Sequence, residues 1–186
     1  MNAQEATAAA IDALDALQIP YMLVGSLSSS YYAIPRSTQD ADFVVKATPE
    51  TISSLLDRLQ DVFQADRQMS FETVTVPRRY LLRLIDGTFV VELFLLSDDA
   101  HDQQRFARRC RRRILDRDVA IPTAEDVIVT KLRWSHAGRR RKDVDDARDV
   151  IAVQGHWIDW DYVNSWCDRH ETRELLDEVR RSLQTT

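Results

Sequence analysis

Cysteine is scarce in this chain. Of 186 residues only Cys110 and Cys167 carry a thiol, too few and too far apart for a disulfide framework or a metal-ligand spacing. A reducing cytoplasm is the compartment this implies. Long apolar runs are missing too. The longest, Phe89 to Leu96 (FVVELFLL), is interrupted by Glu92 and falls far short of the ~20 apolar residues of a membrane span, so no membrane partner is expected. The opening MNAQEATAAAIDALDAL has acids at helical spacing instead of the basic-then-apolar order of an export signal. Neither an internal repeat nor a low-complexity linker is visible. What remains is an ordinary globular composition, 44% hydrophobic and 30% charged, with length enough for one domain or a core with a small appendage.

The net charge of −5 is unevenly spread. Residues 105–142 hold 13 Lys and Arg against 4 Asp and Glu, or +9, which leaves −14 for the rest. A basic middle in an acidic protein fits a polyanionic partner, and it equally fits arginines that solvate a strand edge and two helix faces.

Periodicity predicts a helix over 3–18, with Ala10, Ile11, Leu14 and Leu17 on one stripe, ended by Pro20. A short buried strand follows at 21–24, then a Gly25-Ser26 turn into a helix at 27–34 that Pro35 closes. A strand is expected at 40–45. Thr48 and Pro49 read as the N-cap and first residue of a helix reaching about Phe63. Strands are expected at 71–76, 79–85 and 88–96, the last two joined through Asp86-Gly87. A helix at 98–108 and a ribbon of 111–115 with 118–121 come next. After Pro122 the pattern is helical only: 124–136 behind a Thr123 cap, 141–154, and two more within 159–184. The expected architecture is an α/β (α+β) core over 1–122 with a helical subdomain over 123–186.

Three carboxylates stand out. Asp40 and Asp42 are two apart at the head of an apolar strand, so they project from one face and repel unless a cation lies between them. Mg2+ (or Mn2+) takes such oxygen ligands together with substrate phosphates; solvated strand ends also carry such pairs. Glu92 shares a face with Val90, Phe94 and Leu96, while the other face of that strand is wholly apolar. A carboxylate there must be paired, protonated or metal-bound, and a salt bridge to one of the many arginines is the competing account. Gly25 and Ser26 offer close backbone approach and a hydroxyl before a helix start, which suits a phosphate or an ordinary strand-to-helix turn.

Gly25-Ser26, thirteen residues, Asp40-x-Asp42 and a third acid on a later strand resemble the nucleotidyltransferase fold of the DNA polymerase β superfamily. The string RSTQDAD, Arg36 to Asp42, resembles small bacterial nucleotidyltransferases, among them the AbiEii-like toxin group. PTAEDVIVTKLRW followed by RRRKDVDDARDVI is similar to their helical part. The resemblance covers roughly residues 20–155. It implies a mixed sheet flanked by helices and two-metal phosphoryl transfer from an NTP such as ATP to a hydroxyl acceptor. Asp40, Asp42 and Glu92 would be the catalytic and metal-binding acids, and Gly25, Ser26, Arg36 and Lys131 the nucleotide contacts. Glu92 stands where many relatives have Asp. For Lys131 a structural bridge to Asp143 is the alternative, and for Arg36 a loop-pinning role.

RFARRCRRR sets six arginines in nine residues, 105–113, a track for an RNA acceptor if it lies beside the acids. A protein acceptor and a cognate antitoxin are the other partners the resemblance implies. His101, His136, His156 and His170 lie on unrelated segments and read as surface residues, while Trp157, Trp160 and Trp166 read as core. Two further functions stay open: a non-catalytic nucleotide- or partner-binding module on the same fold, and a small-molecule adenylyltransferase of the antibiotic-modifying kind.

Overall fold

An asparagine opens the first helix. Asn2 Oδ1 accepts the Glu5 N–H at 2.9 Å and Glu5 Oε2 accepts the Asn2 N–H at 2.8 Å, satisfying two donors that a helix start leaves unpaired. The computed structural model describes residues 1–35, 37–71 (backbone alone over 67–71), 78–138 and 141–184. The chain forms two compact units, Met1–Leu27 with Ser37–Ile121, and Ser28–Arg36 with Pro122–Thr186.

In the first unit α1 (Ala3–Ala16) leads into β1 (Tyr21–Val24), and α2 (Gly25–Tyr32) starts at once, carrying the chain into the second unit. The first unit resumes before β2 (Asp40–Val45) and continues through α3 (Pro49–Leu59), β3 (Phe63–Phe71), β4 (Arg78–Leu84), β5 (Val90–Leu95) and α4 (Ala100–Arg108). A ribbon of β6 (Cys110–Ile114) and β7 (Arg117–Ile121) completes it. The main sheet has the order β1-β2-β5-β4-β3. Only the β2–β5 pair is parallel, so the sheet is mixed as expected.

Alternation along the strands builds two different faces. One carries Leu23, Phe43, Val45, Val91, Leu93 and Leu82, all buried, as are Ile11 and Leu14 of α1 and Ile52, Leu55 and Leu59 of α3. Each such side chain contributes ~1.5–3 kcal/mol by leaving water. On the other face Met22, Val24, Val44 and Phe94 cluster with Phe106 of α4 and with Leu96. The inward side of α4 is otherwise polar: Arg105 Nε donates to Asp102 Oδ1 at 2.8 Å, and Ser97 Oγ donates to Asp102 Oδ2 at 2.5 Å. The ribbon is tied to α1 by Arg117, whose Nε and Nη2 each donate to the Asp12 carboxylate at 2.6 Å. That bidentate pair holds the Asp12 carboxyl below its usual range.

Two expectations need correction here. The third helix stops at Leu59, and Phe63 begins β3 instead of ending a helix. β3 reads FQADRQMSF, too polar to announce itself, yet it is an edge strand paired to β4, where one side of the backbone needs no partner strand. The strand expected at 71–76 lies outside the described residues beyond Phe71. His101 is buried, because it shares the inward side of α4 with Asp102, Arg105 and Phe106.

The second unit is helical: α5 (Ala124–Gly138), α6 (Arg141–Gln154), α7 (Trp160–Arg169) and α8 (Arg173–Gln184). Thr123 Oγ1 accepts the Asp126 N–H at 3.3 Å and donates to Asp126 Oδ2 at 2.9 Å. The Tyr162 hydroxyl donates to Asp126 Oδ1 at 2.6 Å, so the buried carboxylate links α5 to α7. Tyr32 is held by its hydroxyl on the Pro122 carbonyl (2.9 Å) and by Gln154 Nε2 on its own carbonyl (3.0 Å). Trp166 is core, as expected, but Trp157 is 76% exposed. It sits in the turn between α6 and α7.

Lys131 is the pin between α5 and α6. It is 6% exposed, and its Nζ lies 2.8 Å from both Asp143 Oδ1 and Asp146 Oδ2. The two aspartates are three apart and share a helix face. Replacing Lys131 by Met should lower the unfolding free energy by about 3–5 kcal/mol, since two buried carboxylates would lose their counter-ion. Urea titration of parent and variant measures this, and unchanged stability would show that the pin does not hold the helices.

Candidate active site

Strand register brings the acids together. In the parallel β2–β5 pair Asp42 lies directly beside Glu92, and Asp40 stands two residues along the same face beside Val90. Adjacent strands are ~4.8 Å apart, so the carboxylates share one end of the face that the apolar cluster occupies elsewhere. Asp40 Oδ1 accepts the Thr38 hydroxyl at 2.5 Å. Glu92 Oε2 accepts Arg79 Nη1 at 3.0 Å, with both side chains partly exposed.

Gly25 closes the site on the β1 side. Val24 is the register partner of Asp42, and the chain turns immediately afterwards with Gly25 at φ +65°. A Cβ on Gly25 would overlap Asp42 Oδ2 and stand 2.9 Å from its Cγ. Glycine is required twice over, for the left-handed backbone and for the carboxylate that lies against its Cα. Ser26 is buried in the first turn of α2, which begins two residues earlier than the sequence indicated.

These residues supply only carboxylate oxygens, the donor set that suits a hard divalent cation. As it stands, Glu92 is directed at Arg79, and among the described residues no three acid, histidine or cysteine side chains form a group that would hold an ion. Glu92 must part from Arg79 to join the two aspartates.

Arg36 is outside the described residues. Lys131 belongs to the second unit, where Asp143 and Asp146 engage it. Within the arginine run Arg111, Arg112 and Arg113 are exposed on β6. Arg105 is buried on Asp102, Arg109 rests 4.1 Å over the Phe106 ring, and Arg111 binds Asp118 at 3.5 Å. Arg109 and Arg111 line a cavity at the Pro20–Tyr21 end of β1, a strand length of about 13 Å from Gly25 at ~3.3 Å per residue. Sequence reasoning missed Arg79 and Thr38. Counting back through the Asp86-Gly87 turn would have paired position 81 with 92 and set Arg79 diagonal to Glu92.

No family model and no curated protein matches the sequence. Solved structures do match. The chain is similar to ANT(2'')-Ia in complex with adenylyl-2''-tobramycin, with a TM-score of 0.64 and 13% identity over 92% of this chain and 98% of that one. A nucleotidyltransferase-like antigenic protein from Paracoccidioides brasiliensis gives 0.56 and 20% identity over 94% and 90%. The lincomycin-bound lincosamide antibiotic adenylyltransferase LnuA gives 0.55 and 12% over 80% and 96%. The fold is that of the nucleotidyltransferases.

Two substitutions test the geometry. Gly25→Ala should weaken nucleotide binding in the presence of Mg2+ and lower stability by about 1–2 kcal/mol, because the new Cβ displaces Asp42 and strains the left-handed backbone. Arg79→Met should tighten Mn2+ binding by about fivefold, the equivalent of about 1 kcal/mol for a partly exposed pair. Titration followed by electron paramagnetic resonance reads it. Unchanged affinity would mean that Arg79 does not compete with the ion.

Proposed function

We propose that the protein is a divalent-metal-dependent nucleotidyltransferase that moves a nucleoside monophosphate from an NTP to a hydroxyl acceptor. The observation that carries the proposal is the parallel register of Asp42 with Glu92, together with the Gly25 Cα against the Asp42 carboxylate. A binding module needs no such crowding of like charges beside a glycine that nothing can replace.

Asp40, Asp42 and, once released from Arg79, Glu92 would hold the ion. A bound Mg2+ or Mn2+ supplies charge neutralisation of the triphosphate and polarisation of its phosphoryl oxygens. The chain's own part is positional. Backbone N–H groups at the start of α2 and the Ser26 hydroxyl receive phosphate oxygens. The acceptor oxygen bonds to the α-phosphorus, the bond to pyrophosphate breaks, and the acceptor proton passes to a carboxylate of the acid set. Arg79, freed from Glu92, offers its guanidinium to the anionic substrate. Arg36 remains a proposed nucleotide contact. Lys131, with both acids on its ammonium, serves as a structural residue in this reading.

Two acceptor classes compete. Engagement of Arg105, Arg109 and Arg111 by Asp102, Phe106 and Asp118 leaves less of the arginine run for an RNA track. The likeness to ANT(2'')-Ia and LnuA, whose structures hold an adenylylated or intact antibiotic, supports a small hydroxylated acceptor. A toxin role with a cognate antitoxin rests on the likeness of Arg36–Asp42 alone. Incubation with each α-labelled NTP, Mg2+ and either total RNA, cell extract or a panel of aminoglycosides and lincosamides identifies donor and acceptor together. Label in RNA or protein would displace the small-molecule reading.

Asp42→Asn is the test of the reaction itself. It should abolish transfer and Mg2+-dependent nucleotide binding while melting at or above the parent's temperature, because it removes repulsion from Asp40 and Glu92. An aspartate present for structure would give the reverse, a lower melting temperature with ligand binding intact. A parent melt that no nucleotide and no divalent ion shifts would sink the enzyme reading.

A further inference from the structure

The strand beyond the acids carries arginines. Along β4, Leu82 and Leu84 are buried on one face of the sheet, and Arg79, Leu81 and Arg83 occupy the other. That second face is the one the acids share. Leu81 pairs directly with Glu92, so Arg79 and Arg83 are the diagonal neighbours of Glu92, one toward each end of the strand. Diagonal neighbours lie within reach of long side chains. Arg83 also stands in one row with Val90 and Asp40, two strand spacings or ~10 Å from the aspartate.

Arg79 donates to Glu92 and is released when Glu92 turns to an ion. Arg83 is exposed and makes no ion pair among the described residues. Two acids lie on its outer side. Asp66 of β3 is opposite Leu81, which separates it from Glu92, and Asp86 belongs to the hairpin turn three residues past Arg83. Neither stands between the arginines and the reactive carboxylates.

The sheet order β1-β2-β5-β4-β3 sets the Gly25-Ser26 turn on one side of the aspartates and the two arginines on the other. In phosphoryl transfer the attacking and leaving oxygens are in line, on opposite sides of the phosphorus. With pyrophosphate leaving toward the Gly25-Ser26 turn, the acceptor arrives over β5 and β4.

We propose that the acceptor hydroxyl belongs to a molecule carrying a phosphate group, which Arg83 receives together with the released Arg79. This inference rests on the nucleotidyl-transfer reading and names its acceptor class. Guanidinium groups match phosphate oxygens with paired, charge-assisted hydrogen bonds. A polycationic aminoglycoside meets the same two charges as repulsion. Arg83 selects the acceptor and takes no part in making or breaking bonds.

Calorimetric titration in two stages tests it. α,β-Methylene-ATP with Mg2+ should bind the parent and Arg83→Gln alike; a parent that does not bind it overturns the transferase reading and this inference with it. The loaded parent should then bind a phosphate-bearing probe, ribose 5-phosphate or a 5′-phosphorylated RNA trinucleotide, at least tenfold more tightly than ribose or tobramycin. Tighter binding of the trinucleotide assigns a nucleic-acid end as the source of the phosphate, and tighter binding of ribose 5-phosphate assigns a free phosphoester. Arg83→Gln should weaken the favoured probe by about tenfold, with an unchanged melting temperature because no ion pair is lost. Arg83→Glu should reverse the order in favour of tobramycin. Where the parent binds the nucleotide analogue, three results overturn the acceptor assignment: neither phosphate-bearing probe binds, ribose or tobramycin binds as tightly, or Arg83→Gln leaves probe binding unchanged.

Discussion

The contact between the Asp42 carboxylate and the Gly25 Cα governs the first unit's chemistry. It requires β1 and β2 to be antiparallel with Val24 opposite Asp42, and it requires the chain to turn at once into α2. The parallel β2–β5 register then decides which residue stands on the other side of Asp42, and that residue is Glu92. A slip of one position would send Glu92 to the apolar face and a leucine or valine toward the aspartates. The apolar cluster of Met22, Val24, Val44, Phe94 and Phe106 guards against such a slip, because the same shift would expose it.

Charge is handled differently in the two units. In the second, Lys131 and Asp126 are buried with their partners supplied by neighbouring helices, and these groups set helix–helix geometry. In the first, Asp102 pairs with Arg105 within α4 and accepts the Ser97 hydroxyl on its other oxygen. The acids of β2 and β5 stand apart from this pattern, since Glu92 has a partly exposed arginine and Asp40 has a threonine hydroxyl. Groups held that loosely can change partners at modest cost, whereas the buried pins cannot.

Much of this was legible from residues alone. β1, β2 and α6 begin and end where apolar alternation, Pro20 and helical spacing put them. The candidate site was legible in part. Asp40, Asp42 and Glu92 stood out because carboxylates within apolar strands demand an explanation, and Gly25 because it ends one. The sequence failed where tertiary context overrode local pattern. β3 is polar because an edge tolerates it, and His101 is buried because α4 turns a polar, internally paired side inward. Arg79 was invisible because its partner is chosen across a hairpin, diagonally, and no local signal marks that choice. In the basic run Arg105 meets a carboxylate, Arg109 a ring and Arg111 the facing strand of the ribbon, partners that no local signal marks.

The Gly25–Asp42 contact also has an evolutionary side. Every replacement of glycine adds a Cβ, so no substitution at this position is a small step, and the gradual drift open to most turn residues is closed here. Position 42 can change while position 25 stays bare, but a side chain at 25 requires the carboxylate at 42 to move. A homologue carrying any side chain at the equivalent of Gly25 will have moved its aspartate or retired it, and two letters of its sequence suffice to tell which lineages still keep the site.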